Sequence, residues 1–143
     1  MLICPTIIYL FICIFFFILY SQSAIDKIKF KQENLSWLKS HFNRSIFANF
    51  VPLLFSVLTI LELITAYLFL LNIIIILTPD NISSFIHKGF LFNNVGPSAA
   101  YYMSMVTLLS LFFGQRIAKD YEGAKTIAIY FTLNIVAVIF ISE

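Results

Sequence analysis

Residues 51–77 have the sequence VPLLFSVLTILELITAYLFLLNIIIIL, in which Glu62 is the one charged side chain. At a rise of about 1.5 Å per residue, a helix of this length exceeds the roughly 30 Å hydrocarbon thickness of a bilayer. Pro79 follows shortly after the stretch, where a helix does not easily continue. Length and composition therefore predict a membrane-spanning helix, and we expect it to be tilted.

The rest of the chain has a similar composition. Of its 143 residues, 61% are hydrophobic and 11% are charged, and the mean hydropathy is +0.96. A soluble domain of this size would have to expose large apolar patches, so a soluble enzyme is excluded. The net charge of +2 offers little to a nucleic acid, and no such partner is expected. We predict a single integral membrane domain over residues 1–143, with the lipid bilayer as its surroundings.

Three further apolar stretches cover residues 2–20, 97–113 and 124–141. The first is either a retained span or a signal peptide, and its long apolar core, with no Lys or Arg before it, favours retention. Pro97 suits the first turn of the next stretch, and Gly114 suits its end. With residues 51–77, these stretches predict an all-α protein, a transmembrane four-helix up-and-down bundle.

Residues 21–46 connect the first two predicted spans. Their apolar side chains recur at helical spacing, with basic side chains around the other faces. This pattern predicts an amphipathic helix on the membrane surface, with Asn34 as an N-cap and Trp37 in the headgroup region. A plain solvated loop is the alternative.

The basic residues are distributed unevenly between the two sides of a four-span protein. Lys88 is the only one on the side that also holds the termini. The other side holds Lys27, Lys29, Lys31, Lys39, Arg44, Arg116, Lys119 and Lys125. Because cytoplasmic loops carry an excess of Lys and Arg, we expect the charged loops in the cytoplasm and both termini outside.

Polar side chains within the spans indicate which helix faces meet. We expect Glu62, Ser104 with Thr107, and Asn134, all near mid-span, to share one depth and to form a polar cluster. Tyr130 is a further candidate member of this cluster. An ionised carboxylate at this depth is costly, so partners or protonation are expected for Glu62. Its role is either proton transfer or ligand binding, or a structural hydrogen bond to Asn134 or Tyr130.

A second charged segment, residues 114–124, lies between the last two predicted spans. Arg116 and Lys119 are spaced i and i+3, and together they would meet a phosphate, a sulfur oxyanion, a lipid headgroup or a partner. The alternative is a solvated turn in which Asp120 and Glu122 neutralise the two bases.

Metal and cofactor motifs do not occur in the sequence. Cys4 and Cys13 share one apolar stretch, and His41 and His87 fall on opposite sides of the predicted membrane, so no metal site is expected. The chain has no phosphate-binding glycine loop, nucleophile elbow or dinucleotide fingerprint, so no covalently bound cofactor and no catalytic residue are assigned.

Four short segments together resemble the DoxX-like family of small four-helix membrane proteins. They are SAIDK at 23–27, NLSWLKSHF at 34–42, LEL at 61–63 and FGQRIAKDYEGA at 113–124. The resemblance implies a bacterial inner-membrane protein that is an accessory or subunit of a redox system. Lys27, Glu62, Arg116 and Lys119 match the family's charged pattern, and we expect the three bases, Lys27, Arg116 and Lys119, to dock an anion or a partner. Ala24 replaces a glycine that many relatives carry.

Three functions are compatible with these features. The first is a non-catalytic accessory subunit for a partner redox protein. The second is a quinone-linked oxidoreductase component, with a quinone bound between spans near Glu62, Asn134 or Tyr130, since the chain has no redox ligands of its own. The third is a small-solute or proton pathway that uses the buried acid, for which a homo-oligomer would supply further helices.

Overall fold

The computed structural model describes residues 5–43, 47–78 and 98–142, and every regular element in these ranges is helical. The helices are α1 (Pro5–Lys29), α2 (Lys31–Phe42), α3 (Val51–Leu77), α4 (Ser98–Ile117) and α5 (Tyr121–Ser142), and a short 3-10 turn, Ala48–Phe50, precedes α3. The all-α class is confirmed. Cys4, Arg44, Lys88 and Pro97, on which some of the predictions depend, lie outside the described residues.

Three segments in the described part of the chain are long and apolar enough to cross a membrane. They are Thr6–Lys29, Ala48–Leu77 and Tyr121–Phe140, and they fit a membrane protein. Helix α4, which corresponds to the third predicted span, is not among them. Its serines and threonine, together with Gln115 and Arg116 near its end, lower its hydropathy.

Helix α1 is longer than its apolar stretch predicts. It continues past Tyr20 to Lys29, so residues 21–29 extend the first long helix instead of beginning a separate surface helix. Phe30, with φ −106° and ψ 36°, separates α1 from α2. Asn34 lies within α2 and its side-chain amide donates to the Asp26 carbonyl at 3.4 Å, so the predicted N-cap is wrong.

Helix α2 is the amphipathic helix, and its apolar face packs against the protein. Phe42 is buried in a small cluster with Val51 at the start of α3 and Ala118 after α4. Leu35 and Leu38 pack against the same cluster. The solvated-loop alternative for this segment is wrong, because α2 covers one end of the longer helices.

Helices α1 and α3 run antiparallel. Lys27 near the end of α1 contacts Glu62, whereas Phe16, earlier on α1, stacks on Phe69, later on α3, with ring centroids 5.2 Å apart. Because residue numbers rise on one helix as they fall on the other, the two helices lie side by side in opposite directions.

Helix α4 also packs antiparallel to α3. Thr107 contacts Thr65, and Ala118, further along the chain, packs against Val51 at the beginning of α3. Helix α5 returns along α4, and Asn134 contacts Tyr101. Helices α1, α3, α4 and α5 therefore meet around one core, which contains Cys13, Phe16, Tyr20, Ala66, Phe69, Ala100, Tyr101, Leu108 and Ala137.

The exterior of the long helices is apolar, unlike the surface of a soluble protein. Large apolar side chains cover it, as Phe11, Leu53 and Leu133 illustrate. Within the described ranges, the interior also holds polar or charged residues beside its apolar core, namely Thr59, Glu62, Thr65, Asn72, Ser104, Thr107 and Asn134. This arrangement suits a lipid exterior, where buried polar groups bind helices to one another and apolar groups contact acyl chains.

The turn between α4 and α5 is built by two successive caps. Gly114, the predicted helix end, lies inside α4, and the chain leaves the helix at Lys119, which has a φ of 60°. The Asp120 amide donates to the Gln115 carbonyl at 3.0 Å, which completes a Schellman-type ending. The Asp120 carboxylate then accepts from the Gly123 amide at 2.9 Å and caps α5.

We expect Asp120→Ala to lower the free energy of unfolding by about 1 kcal/mol, because the first turn of α5 loses its cap. Thermal unfolding in detergent micelles measures this change. Asp120→Asn is the matched control, because an asparagine side chain caps a helix about as well as an aspartate. Equal losses in the two variants would contradict the capping role.

Candidate functional site

A buried ion pair joins α1 to α3. The Glu62 side chain is 0% exposed, and its Oε1 accepts hydrogen bonds from Lys27 Nζ at 2.8 Å and from Ser23 Oγ at 2.9 Å. Lys27 Nζ also donates to Ser23 Oγ at 2.8 Å. The three side chains form a closed triangle, and the lysine supplies the positive charge that the buried carboxylate requires.

The extension of α1 beyond Tyr20 positions this triangle. Ser23 and Lys27 lie one turn apart on α1, so both side chains face α3. A helix that ended at Tyr20 would leave Lys27 in the linker, so the apolar pattern alone does not predict its pairing with Glu62. The available signal was the spacing of Cys13, Tyr20 and Lys27, which continues one helix face at seven-residue intervals.

Glu62 retains an unused acceptor. Its second carboxylate oxygen, Oε2, is buried and has no hydrogen-bond partner among the described residues. A buried polar atom without a partner costs free energy. The carboxylate therefore has capacity for one further donor.

The other predicted cluster residues contact different partners. Ser104 Oγ lies 2.6 Å from the Tyr20 hydroxyl, and Thr107 Oγ1 lies 2.9 Å from Thr65 Oγ1. Ser104 and Thr107 are fully buried, as expected for interior positions. These hydroxyl contacts join α4 to α1 and to α3.

Asn134 and Tyr130 occupy the α5 side of the interior. Asn134 is fully buried and donates from Nδ2 to the Tyr101 carbonyl at 3.0 Å. Tyr130 is half-buried and its ring lies 6.3 Å from that of Phe15. Glu62 thus has Lys27 and Ser23 as its hydrogen-bond partners, in place of the predicted Asn134 or Tyr130.

The predicted cluster is spread along the helix axes. Thr65 faces Thr107, so Glu62, three residues before Thr65, lies near the level of Ser110. Asn134 contacts Tyr101, nine residues before Ser110. Nine residues of helix correspond to about 13.5 Å, so the prediction of one shared depth is wrong.

The three predicted docking bases also separate. Lys27 belongs to the buried triangle, and its side chain is only 20% exposed. Arg116 is exposed and lies over the Tyr121 ring, 5.0 Å from the centroid, and Lys119 is exposed at the end of α4. Asp120 is engaged in the cap of α5, so the turn is not the simple acid and base pairing of the alternative interpretation.

A cavity of about 470 Å³ lies next to the buried triangle. It is enclosed by the end of α1, α2, the first half of α3 and the end of α4. Its walls are mostly apolar and aromatic, and its polar side chains include Ser23, Asp26, Lys27, Asn34 and Gln115. A mostly apolar cavity of this size with few polar groups is typical of a small-molecule site.

Neither a metal-binding group nor a similar protein identifies a function for this site. In the described ranges, no group of three or more His, Cys, Asp or Glu side chains is placed to hold a metal ion. The chain matches no protein-family model, no curated protein and no solved structure. A function for this chain therefore has to come from its own residues and contacts.

We expect Lys27→Met to lower the free energy of unfolding by about 3–5 kcal/mol, because it leaves the Glu62 carboxylate buried without a counter-charge. Unfolding in detergent micelles measures the loss. The matched control is Lys27→Met with Glu62→Met, which removes both charges and should regain stability to within about 1 kcal/mol of the wild type. A double variant less stable than Lys27→Met would contradict the ion-pair account.

Proposed function

We propose that this chain is a non-catalytic, multi-pass membrane protein that serves as an accessory subunit of a membrane complex. The observation that carries the proposal is the apolar exterior of the long helices, together with the pairing of Glu62 inside. Such a protein offers lipid-compatible faces and a basic end to a partner, and it needs no cofactor of its own.

We propose four crossings in an up-and-down bundle, and the contacts of α4 support this proposal. Its polar side chains Ser104 and Thr107 face other helices, so α4 does not expose them to lipid. Its exterior carries apolar side chains, among them Val106, Leu109 and Phe113. Helix α4 lies between α3 and α5, both of which are apolar enough to span, and we therefore place it in the membrane with them.

The proposed orientation follows from the position of the lysines. The end of α1, helix α2 and the turn between α4 and α5 lie at one end of the protein, as the shared cavity lining indicates. This end carries Lys29, Lys31, Lys39, Arg116, Lys119 and Lys125. The positive-inside bias puts it in the cytoplasm, with both termini outside, and the DoxX-like resemblance suggests a bacterial inner membrane.

The proposed partner is a membrane redox protein. The DoxX-like resemblance supports a role in a redox system linked to quinone, and the exposed bases Arg116 and Lys119 would meet an acidic surface of the partner. Self-association through the same helices is a competing arrangement. Lys27 is not part of this docking surface, because its ammonium group is paired with Glu62.

A proton or small-solute pathway is a second candidate. The unpartnered Oε2 of Glu62 favours it, because a buried acid with a free acceptor is able to receive a proton. The ion pair with Lys27 favours the structural role instead, since it already neutralises the acid. Proton uptake by proteoliposomes that is lost in Glu62→Gln would support the pathway.

We expect a second protein to copurify with the wild-type chain in mild detergent, and Arg116→Glu with Lys119→Glu to reduce its recovery by about tenfold, because close like charges then repel the partner. Quantitative mass spectrometry of the purified material measures the recovery. Arg116→Lys with Lys119→Arg keeps both charges and is the matched control. A wild-type chain that purifies alone or only with copies of itself would contradict the accessory role.

A further inference from the structure

The cavity beside the buried triangle opens toward the apolar exterior. Val57 on α3 and Phe113 on α4 both line it, and they are 44% and 59% exposed on the outer surface. Part of the cavity wall is therefore also part of the apolar outer surface. We infer that a molecule dissolved in the bilayer enters the cavity from this side.

Small residues on α4 create the space. Gly114 lines the cavity within a helix, and a Cβ built at this position would meet no atom within 4 Å. Glycine inside a helix is destabilising by about 1 kcal/mol relative to alanine, although there is room for a larger side chain here. A space of about 470 Å³ falls within the usual volume range of small-molecule sites.

The polar end of the cavity offers hydrogen-bond donors. The Lys27 ammonium has three N–H groups, and its contacts in the described residues, to Ser23 and Glu62, use two of them. Lys27 lines the cavity, together with the side-chain amides of Asn34 and Gln115. These groups suit an acceptor oxygen on the ligand.

The charges around the polar end of the cavity indicate whether the ligand's acceptor oxygen is anionic or uncharged. At the polar end of the cavity, Lys27 contributes one positive charge, whereas Glu62 beside it and the exposed Asp26 contribute two negative charges. The other bases at this end of the protein do not line the cavity. An anionic head group would add a third negative charge in a partly desolvated site, which is unfavourable. An uncharged carbonyl accepts the available hydrogen bond without this repulsion.

We propose that the cavity binds an uncharged, carbonyl-bearing amphipathic molecule taken from the bilayer, with its oxygen at Lys27 and its apolar body against the aromatic walls. The proposal rests on the membrane placement in the proposed function, but it does not require a partner protein. The apolar body lies among Phe55, Leu58 and Phe113, and the carbonyl faces the buried triangle.

Photolabelling of the full chain in phosphatidylcholine proteoliposomes tests the proposal. The probe is 4-heptylbenzophenone, a neutral aryl ketone with an alkyl tail that forms bonds to nearby C–H groups on illumination. We expect labelled peptides from the first half of α3 and the end of α4. Gly114→Phe, which places a large side chain in the open space, should reduce this labelling by about tenfold.

Two controls separate specific binding from partition into lipid. Leu109→Phe adds similar bulk to the exposed face of α4 and should leave the labelling unchanged. A benzophenone with the same tail and a carboxylate should label the cavity about tenfold less, because of the two nearby carboxylates. Circular dichroism measures whether Gly114→Phe keeps the helical content of the wild type. Ser110→Phe is a second variant that fills the cavity.

The outcomes are distinct. Labelling that is equal in the wild type, Gly114→Phe and Ser110→Phe, or that is spread over lipid-facing residues, would overturn the site. Labelling by the carboxylate probe equal to that by the neutral probe would overturn the uncharged ligand and indicate an anionic lipid. Copurification of a partner is measured separately, so failure of the ligand site and failure of the accessory role are distinguishable.

Discussion

An acid inside a set of apolar helices has to be neutralised, and in this protein Lys27 neutralises Glu62. The 2.8 Å contact joins two helices that run in opposite directions, and Ser23 completes it with two further hydrogen bonds. Since the carboxylate is fully buried, the stability of the folded protein depends on the register of α1 against α3, which brings Lys27 to Glu62. A shift of α1 by one turn would separate the charges, so the pair specifies one alignment of the two helices.

The same register organises the rest of the interior. With Lys27 beside Glu62, Phe16 meets Phe69, and Tyr20 reaches Ser104 on α4. Hydroxyl contacts replace the hydrophobic effect as the specific link between helices, because lipid gives apolar faces no reason to associate. The hydroxyl side chains of α4 contact α1 and α3 for this reason. They also contribute to the lower hydropathy of this helix.

Helix α2 forms one wall of the candidate site. Its apolar face covers the ends of α3 and α4, and the space left between this cover and the buried triangle is the cavity. The ion pair thus has two consequences. It secures α1 to α3, and it places a lysine with an unused N–H at the polar end of a space that opens to the apolar exterior.

The sequence by itself determined the helical class, the apolar segments and the interior positions of Glu62, Ser104, Thr107 and Asn134, because hydropathy and periodicity belong to each segment separately. Only the tertiary structure decided which side chain neutralises Glu62, that Asn134 lies at another level, and that a cavity separates α2 from the ion pair. These features depend on the register between helices and on where α1 ends. Periodicity within one segment carries no information about the alignment of two, since many registers bury the same apolar faces, and specific contacts such as Lys27 with Glu62 select among them.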